Sequence, residues 1–157
     1  MAYATLAQLQ TSYSRDLLAR LATRSGDDLV PDDTTIDLRC QAALDASTGV
    51  MDGFLALVYA VPVSSPLATV MDALRACCCA LAIADLVLQK GYVVGSEDEQ
   101  LVGAASKHWT NWLQRLASGK AVLPGASSVP ADGGIAPADG FFVQSEPAFF
   151  APVDRFA

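Results

Sequence analysis

Three adjacent cysteines are the most conspicuous candidates for chemistry in the sequence. Cys77, Cys78 and Cys79 lie in the apolar run RACCCALAIADLVLQKG, and Cys40 is the fourth cysteine. Thiolates could bind a metal ion or carry redox chemistry. Neighbouring side chains on a helix are about 100° apart around its axis, however, so the triplet cannot converge on one tetrahedral ion. The pattern favours small core residues between closely packed helices, with a metal, redox or reactive-thiol role as the alternative.

A second candidate is a group of acids in the turn SGDDLVPDDTTID. Its members are Asp27, Asp28, Asp32 and Asp33. Carboxylates in a turn could bind calcium, but the ligand spacing and the final glutamate of an EF-hand loop are missing. We interpret residues 27–33 as a turn that places negative charge at the start of the next helix, which Asp33 or Thr34 would cap.

The remaining titratable residues give little support for catalysis. His108 is the only histidine, and no acidic or thiol partner lies at a recognisable spacing from it. Asp45 and Asp52 share one predicted helix face, where solvated carboxylates are the simpler interpretation. The sequence contains no phosphate-binding, hydrolase or metalloprotease motif. We therefore predict no catalytic, cofactor-binding or metal-binding residue, and expect that the protein is not an enzyme.

Helical periodicity organises residues 1–120, which we interpret as one domain. It predicts helices from about 5 to 12, from Ser14 to Gly26, from about 34 to 59, from Leu67 to Gly91, and from Ser96 to Gly119. The expected fold is all-α, a small bundle of four or five helices in which the two long helices pack antiparallel. Gly49 and Gly53 each cost the third helix about 1 kcal/mol, which indicates a close crossing by another helix, or else a kink.

Composition and charge exclude several functional classes. Hydrophobic residues make up 52% of the chain and charged residues 17%, so part of the surface is expected to be covered by partners. The net charge of −7 argues against a protein that grips nucleic acid through its phosphates. The N-terminus shows no secretory signal, and the apolar stretch from Cys77 to Leu88 is too short to span a bilayer. We expect no membrane contact and synthesis in the cytoplasm.

Residues 121–157 form a separate segment, rich in proline and glycine and without helical periodicity. Five of the six phenylalanines are in this segment: Phe141, Phe142, Phe149, Phe150 and Phe156. Exposed aromatic side chains usually find a partner surface, and an extended segment of this length reaches on the order of 100 Å. We interpret the segment as an extended docking arm. Its phenylalanines and Arg155, with Trp109 and Trp112 on the last helix, are the predicted protein-interaction residues.

Several stretches resemble one known protein family. They are YATLAQL, DLLARLA, ALDASTGVMDGFLALVYAVPV and WLQRLASGKAVL, and the likeness spans about residues 3 to 123. Its most specific part comprises Ala46, Ser47, Asp52, Gly53, Phe54 and Leu55, followed by Tyr59 and Pro62. These motifs are similar to those of the head-to-tail connector (adaptor) proteins of Mu-like bacteriophages. The C-terminal PVDRFA is similar to extensions that many members carry.

The resemblance implies a structural protein of the virion, made in the bacterial host and located in the neck of a tailed phage. It implies a homo-oligomeric ring below the portal protein, expected to be twelve-fold, that contacts the portal and the next neck or tail-terminator protein. DNA would pass through without specific binding, and no cofactor would be needed. Family members often carry a calcium-like loop where this chain has SGDDLVPDD, so the resemblance leaves ion binding at this turn open.

Three other functions are compatible with the residues. A head-completion stopper or tail-terminator protein would share the ring architecture, but such proteins are usually rich in strands, which the helical periodicity does not favour. A small helical enzyme or ligand-binding protein would use the cysteine triplet or His108. The third alternative is a helical regulatory module that binds one partner through the C-terminal segment.

Overall fold

The computed structural model of the chain describes residues 3–24, 27, 31–90 and 97–129. Within these ranges the chain forms five helices: α1 (Leu6–Ser12), α2 (Arg15–Ala22), α3 (Asp33–Leu55), α4 (Ala68–Gln89) and α5 (Glu97–Ala117). Apart from one isolated bridge, the described residues form no β-structure. The predicted all-α bundle of four or five helices is therefore confirmed. The predicted end of α2 at Gly26 was wrong, because the helix ends at Ala22 and Thr23 is extended. The helix boundaries predicted at Gly91 and Ser96 lie outside the described residues.

The first three helices begin where side chains satisfy free backbone amides. Thr5 and Gln8 form the predicted capping box of α1, and the Ser14 hydroxyl accepts a hydrogen bond from the Leu17 amide at the start of α2. For α3 the predicted cap was wrong by one or two residues. Asp32 is the cap, because its carboxylate accepts a hydrogen bond from the Thr35 amide at 3.0 Å. Asp33 is the first residue of the helix.

Helix α4 is the centre of the bundle and packs against α2, α3 and α5. Its buried positions are Val70, Leu74, Cys77, Cys78, Cys79, Ala80, Ala82, Ile83 and Leu86. A helix covered on several sides needs apolar residues around most of its circumference, and small ones wherever a neighbouring helix approaches closely. The alanine- and cysteine-rich run supplies both.

The long helices α3 and α4 are antiparallel, as predicted. At one end of the bundle, the Arg39 guanidinium in α3 donates to the Ala22 carbonyl at the end of α2. Arg24, two residues further on, donates to the Gln89 side chain at the C-terminus of α4. The end of α2 is therefore close to both the N-terminal half of α3 and the C-terminus of α4, which requires α3 and α4 to run in opposite directions.

The predicted end of α3 was wrong. The helix ends at Leu55 rather than near residue 59, because residues 56–59 turn away and Tyr59 forms an isolated bridge with Ser128. Val50 and Leu57 have helical spacing with the other apolar residues of this stretch, but they are 52% and 72% exposed. No described part of the protomer crosses α3 closely at Gly49 or Gly53, since an added Cβ would meet nothing within 4 Å at either glycine.

The other end of the bundle is closed by two tyrosines and a returning segment of chain. The Tyr3 hydroxyl donates to Asp52 Oδ1 at 2.6 Å and accepts from the Val63 amide at 3.0 Å. The Tyr59 hydroxyl accepts from the Leu123 amide at 2.9 Å. Both tyrosines are buried. We call residues 56–67 the α3–α4 loop and residues 121–129 the return segment.

The return segment lies antiparallel to the α3–α4 loop. The Ala60 amide donates to the Ser127 carbonyl and the Val129 amide to the Val58 carbonyl, each at 3.0 Å. Buried Leu123 is part of the core cluster. Gly119 and Gly125 have φ angles of 70° and 72°, which glycine adopts most readily, and they turn the chain back after α5. The first nine residues of the predicted arm are thus packed on the helical body, and residues 130–157 lie outside the described residues.

We expect Tyr3→Phe to destabilise the fold although it keeps the buried ring. The change removes the only hydroxyl that pairs with both Asp52 and the Val63 amide, and an unsatisfied buried partner costs about 1–3 kcal/mol. The measurement is the free energy of unfolding in guanidinium chloride. Tyr13→Phe is the control, because no hydrogen bond of the Tyr13 hydroxyl occurs among the described residues. Equal losses in the two variants would contradict this account.

Candidate interaction surfaces

The cysteines are core residues in the structure. All four are free thiols and buried. Burial raises the pKa of Cys77 to about 12 and that of Cys79 to about 11, because the low-polarity surroundings disfavour the thiolate. Cys78 lies 3.7 Å from the Thr48 hydroxyl and 3.9 Å from the Leu44 carbonyl, at the contact between α3 and α4. The core interpretation of the triplet is confirmed, and the environment is the opposite of one that activates a thiol.

The acids of the turn serve as caps and ion-pair partners. Asp27 accepts from Arg39 at 2.6 Å, and this hydrogen bond holds the pKa of the carboxyl below its usual value. Asp33 lies 3.0 Å from Arg15, and Asp32 caps α3. Asp28 lies outside the described residues. Among those described, no group of three or more His, Cys, Asp and Glu side chains is arranged to hold a metal ion.

The aromatic residues of α5 form a ladder along one side of the helix. The ring centroids of Trp109 and Trp112 are 5.5 Å apart at 86°, an edge-to-face arrangement. His108 is exposed, and its ring is 5.3 Å from that of Trp109. Both tryptophans are partly buried against the core cluster, so each has one part packed and another accessible. Their predicted role in protein contacts remains a prediction.

The other predicted interaction residues are in the arm and lie outside the described residues. They are Phe141, Phe142, Phe149, Phe150, Arg155 and Phe156. The last described residue is Val129, whose amide is held by the Val58 carbonyl next to the end of α3.

One side of α3 faces outward along most of the helix and carries apolar or small residues. The exposed positions are Leu38, Ala42, Ala46, Gly49, Val50 and Gly53, which we call the α3 outer face. Their spacing of three or four residues places them in one row on the helix. Asp45 is the exposed charged residue beside this row. Two of its members are glycines, and an added Cβ at either would meet no described atom within 4 Å.

A second apolar surface lies at the end of the bundle closed by the tyrosines. Its exposed side chains are Leu57, Val61, Leu67, Val122 and Val129, which we call the end patch. All five belong to the α3–α4 loop or to the return segment. Leu57 follows the end of α3 by two residues, so the end patch lies at the C-terminal end of this helix. Among the described residues, the end patch contains five of the eight large hydrophobic side chains that are exposed.

The sequence analysis missed the end patch, although a signal for it was present. Residues 53–71 contain no charged side chain, and neither do residues 121–131. A stretch without charged residues is expected where a helix is buried. The α3–α4 loop, however, is irregular and partly exposed. The pairing of the two uncharged stretches depends on Tyr59 and on backbone hydrogen bonds, which no periodic pattern reveals.

The fold defines a class of protein: a small all-helical body, with two exposed apolar surfaces among the described residues. A family model described as "Bacteriophage Mu, Gp36" matches residues 3–136, most of the chain. The chain therefore belongs to the bacteriophage Mu Gp36 family, and it is a phage protein of the virion or its assembly. No curated protein matched the sequence. Within the described residues, no helix has the length and apolar character needed to cross a membrane.

We expect the thiols to be unreactive in the folded protein. All four are buried, and none is held next to a cation that would stabilise its thiolate strongly enough to offset burial. A disulfide reagent at neutral pH should modify almost none of them in the native state and all four in guanidinium chloride. Rapid modification of one cysteine in the native protein would contradict the core assignment.

The stability of the fold should decrease in alkaline solution. In the unfolded chain the thiols ionise near 9.0, while in the folded chain Cys77 and Cys79 stay protonated until about pH 12 and 11. Their stabilising contribution is complete below pH 9 and is lost as the pH rises toward the folded values. Each thiol should lower the free energy of unfolding by about 1.4 kcal/mol per pH unit in this window.

Urea unfolding of the wild type and of Cys77→Ala at a series of pH values tests this linkage. The variant should have a shallower dependence between about pH 9 and pH 11, by the contribution of one thiol. Identical slopes would show that Cys77 ionises equally in both states.

Proposed function

We propose that this protein is a head-to-tail connector subunit, which forms a ring below the portal in the neck of a tailed phage. Membership of the bacteriophage Mu Gp36 family supports a role in the virion. The observation that carries the finer assignment is the α3 outer face. It is a long exposed row of apolar and small residues that nothing within the described part of the protomer covers.

A ring of identical subunits needs two unlike surfaces on each subunit, because head-to-tail contacts join one patch to a different one. The α3 outer face and the end patch at its C-terminal end provide one. The arm with its five phenylalanines, together with the tryptophan pair on α5, provides the other. A subunit of this kind performs no catalysis, and the buried thiols of high pKa and the exposed His108 agree with a structural role.

The charge of the protein suits a conduit for DNA. The net charge is −7, and DNA binding is driven largely by cations that neutralise phosphates. Three of the arginines, Arg15, Arg39 and Arg75, are engaged in ion pairs with aspartates. We therefore expect the DNA to pass through the ring without being held. The portal protein and the next neck or tail-terminator protein would contact the ring on its two sides.

Complementation of a phage lysate that lacks this protein tests the proposal. Without the protein we expect DNA-filled heads and separate tails in electron micrographs. Added wild-type protein should restore infectious particles. Val50→Asp, which puts a charge in the α3 outer face, should reduce this titre by roughly tenfold or more, as expected for about 1.4 kcal/mol lost per contact.

Leu88→Asp is the matched control, because Leu88 is also exposed, at 66%, but lies at the far end of α4. It should restore the titre as the wild type does. Complete, joined virions in the absence of the protein would exclude a connector role. Equal titres with Val50→Asp and Leu88→Asp would exclude the α3 outer face as a subunit contact.

A further inference from the structure

We infer that the end patch is the binding site for the phenylalanine-bearing part of the arm, residues 141–156, of a neighbouring copy of the chain. This inference rests on the proposed ring. It identifies the two surfaces of one contact between subunits, the end patch of one copy and the arm of the next. Four observations lead to it: the chemistry of the patch, the chemistry of the arm, the position of Val129 in the patch, and the length of chain from Val129 to the first phenylalanine pair.

The end patch is an apolar surface that can be buried without removing charge from water. Residues 53–71 and 121–131 are uncharged. The backbone groups at its centre are already paired, since the Ala60 and Val129 amides donate to the Ser127 and Val58 carbonyls. A partner that covers the patch therefore leaves few unsatisfied polar groups behind, which is the main cost of burying irregular chain.

The arm has the side chains that such a surface binds. Phe141, Phe142, Phe149 and Phe150 form two pairs eight residues apart, and Phe156 follows. A phenylalanine buries a large apolar area without carrying a polar group that needs a partner. The patch presents branched aliphatic side chains from Leu57, Leu67 and Val122. Aromatic rings against aliphatic side chains are a common basis of contacts in which an extended segment docks on a folded body.

The position of Val129 and the length of chain beyond it favour a neighbouring copy over the same chain. Val129 is the last described residue of the arm and is itself part of the end patch. A body of this size is about 35 Å across, and the twelve residues from Val129 to Phe141 span up to about 40 Å. This reach matches the distance to the equivalent patch of an adjacent subunit, whereas docking on its own patch would need the chain to reverse. Tethered contacts are strongest when the linker matches the span.

Disulfide trapping between two full-length variants tests the contact directly. Ser64→Cys places a thiol on the exposed α3–α4 loop beside the patch, and Gln144→Cys places one beside the first phenylalanine pair. The four native thiols are buried and do not compete. When the two proteins are mixed with diamide as oxidant, we expect a covalent heterodimer at twice the monomer mass. Thr34→Cys, exposed at the opposite end of α3, replaces Ser64→Cys in the control and should give only background.

Two further variants assign the contact to the patch. Leu57→Asp added to the Ser64→Cys chain should reduce the heterodimer roughly tenfold. Leu88→Asp, at a site of similar exposure away from the patch, should leave it unchanged. Both positions are exposed, so neither change disturbs the core.

Three outcomes would overturn the inference. They are a heterodimer no more abundant than with Thr34→Cys, a yield insensitive to Leu57→Asp, and a chain carrying both Ser64→Cys and Gln144→Cys that closes only on itself as a monomer. The last would show that the arm binds its own patch. Because the assay uses purified protein, it is independent of the proposed function. A trapped heterodimer stands even if virions form without the protein, and its absence leaves the connector test intact.

Discussion

Two tyrosine hydroxyls hold the α3–α4 loop between the two ends of the described chain. Tyr3 joins the N-terminal residues to Asp52 and Val63, and Tyr59 joins the return segment to the same loop. An irregular loop between two long helices would otherwise leave its amides to water. By fixing this loop, the tyrosines bring three distant parts of the sequence to one end of the bundle. The position of the end patch follows from this arrangement, whereas the α3 outer face follows from the helical spacing of its residues.

The protomer is chemically different at its two ends, which are separated by the 23 residues of α3, about 35 Å. At the N-terminal end of α3, Arg15 pairs with Asp37 and Arg39 with Asp27. At the C-terminal end the loop and the return segment contain no charge. Helix α4 carries three charged residues, Asp72, Arg75 and Asp85, and none of them is among its buried positions. A subunit with unlike ends suits an assembly in which each side of a ring meets a different neighbour.

The sequence predicted most of the fold because the helices are regular. Capping by Thr5 and Ser14, helical periodicity, and the apolar run around Cys77 depend on residues close together in the chain, which a pattern can detect. Predictions failed where long-range contacts decided the outcome. Leu57 has helical spacing but is exposed, since α3 has already ended and the return segment occupies the adjacent space. Composition predicts that the arm phenylalanines are contact residues, but the surface that we infer for them depends on a loop and a segment more than fifty residues apart.

An apolar contact of the kind we infer between arm and end patch is suited to assembly at a defined place. A free subunit gains only one such contact when it meets another subunit. The free energy of that one contact offsets little of the entropy lost on association. The last subunit to enter a ring gains two contacts at once, and the second is effectively intramolecular. A surface that lacks charge and has paired backbone groups supplies modest affinity per contact at low desolvation cost. Such subunits would remain monomeric at low concentration. They would close into a stable ring where a template such as the portal binds several of them.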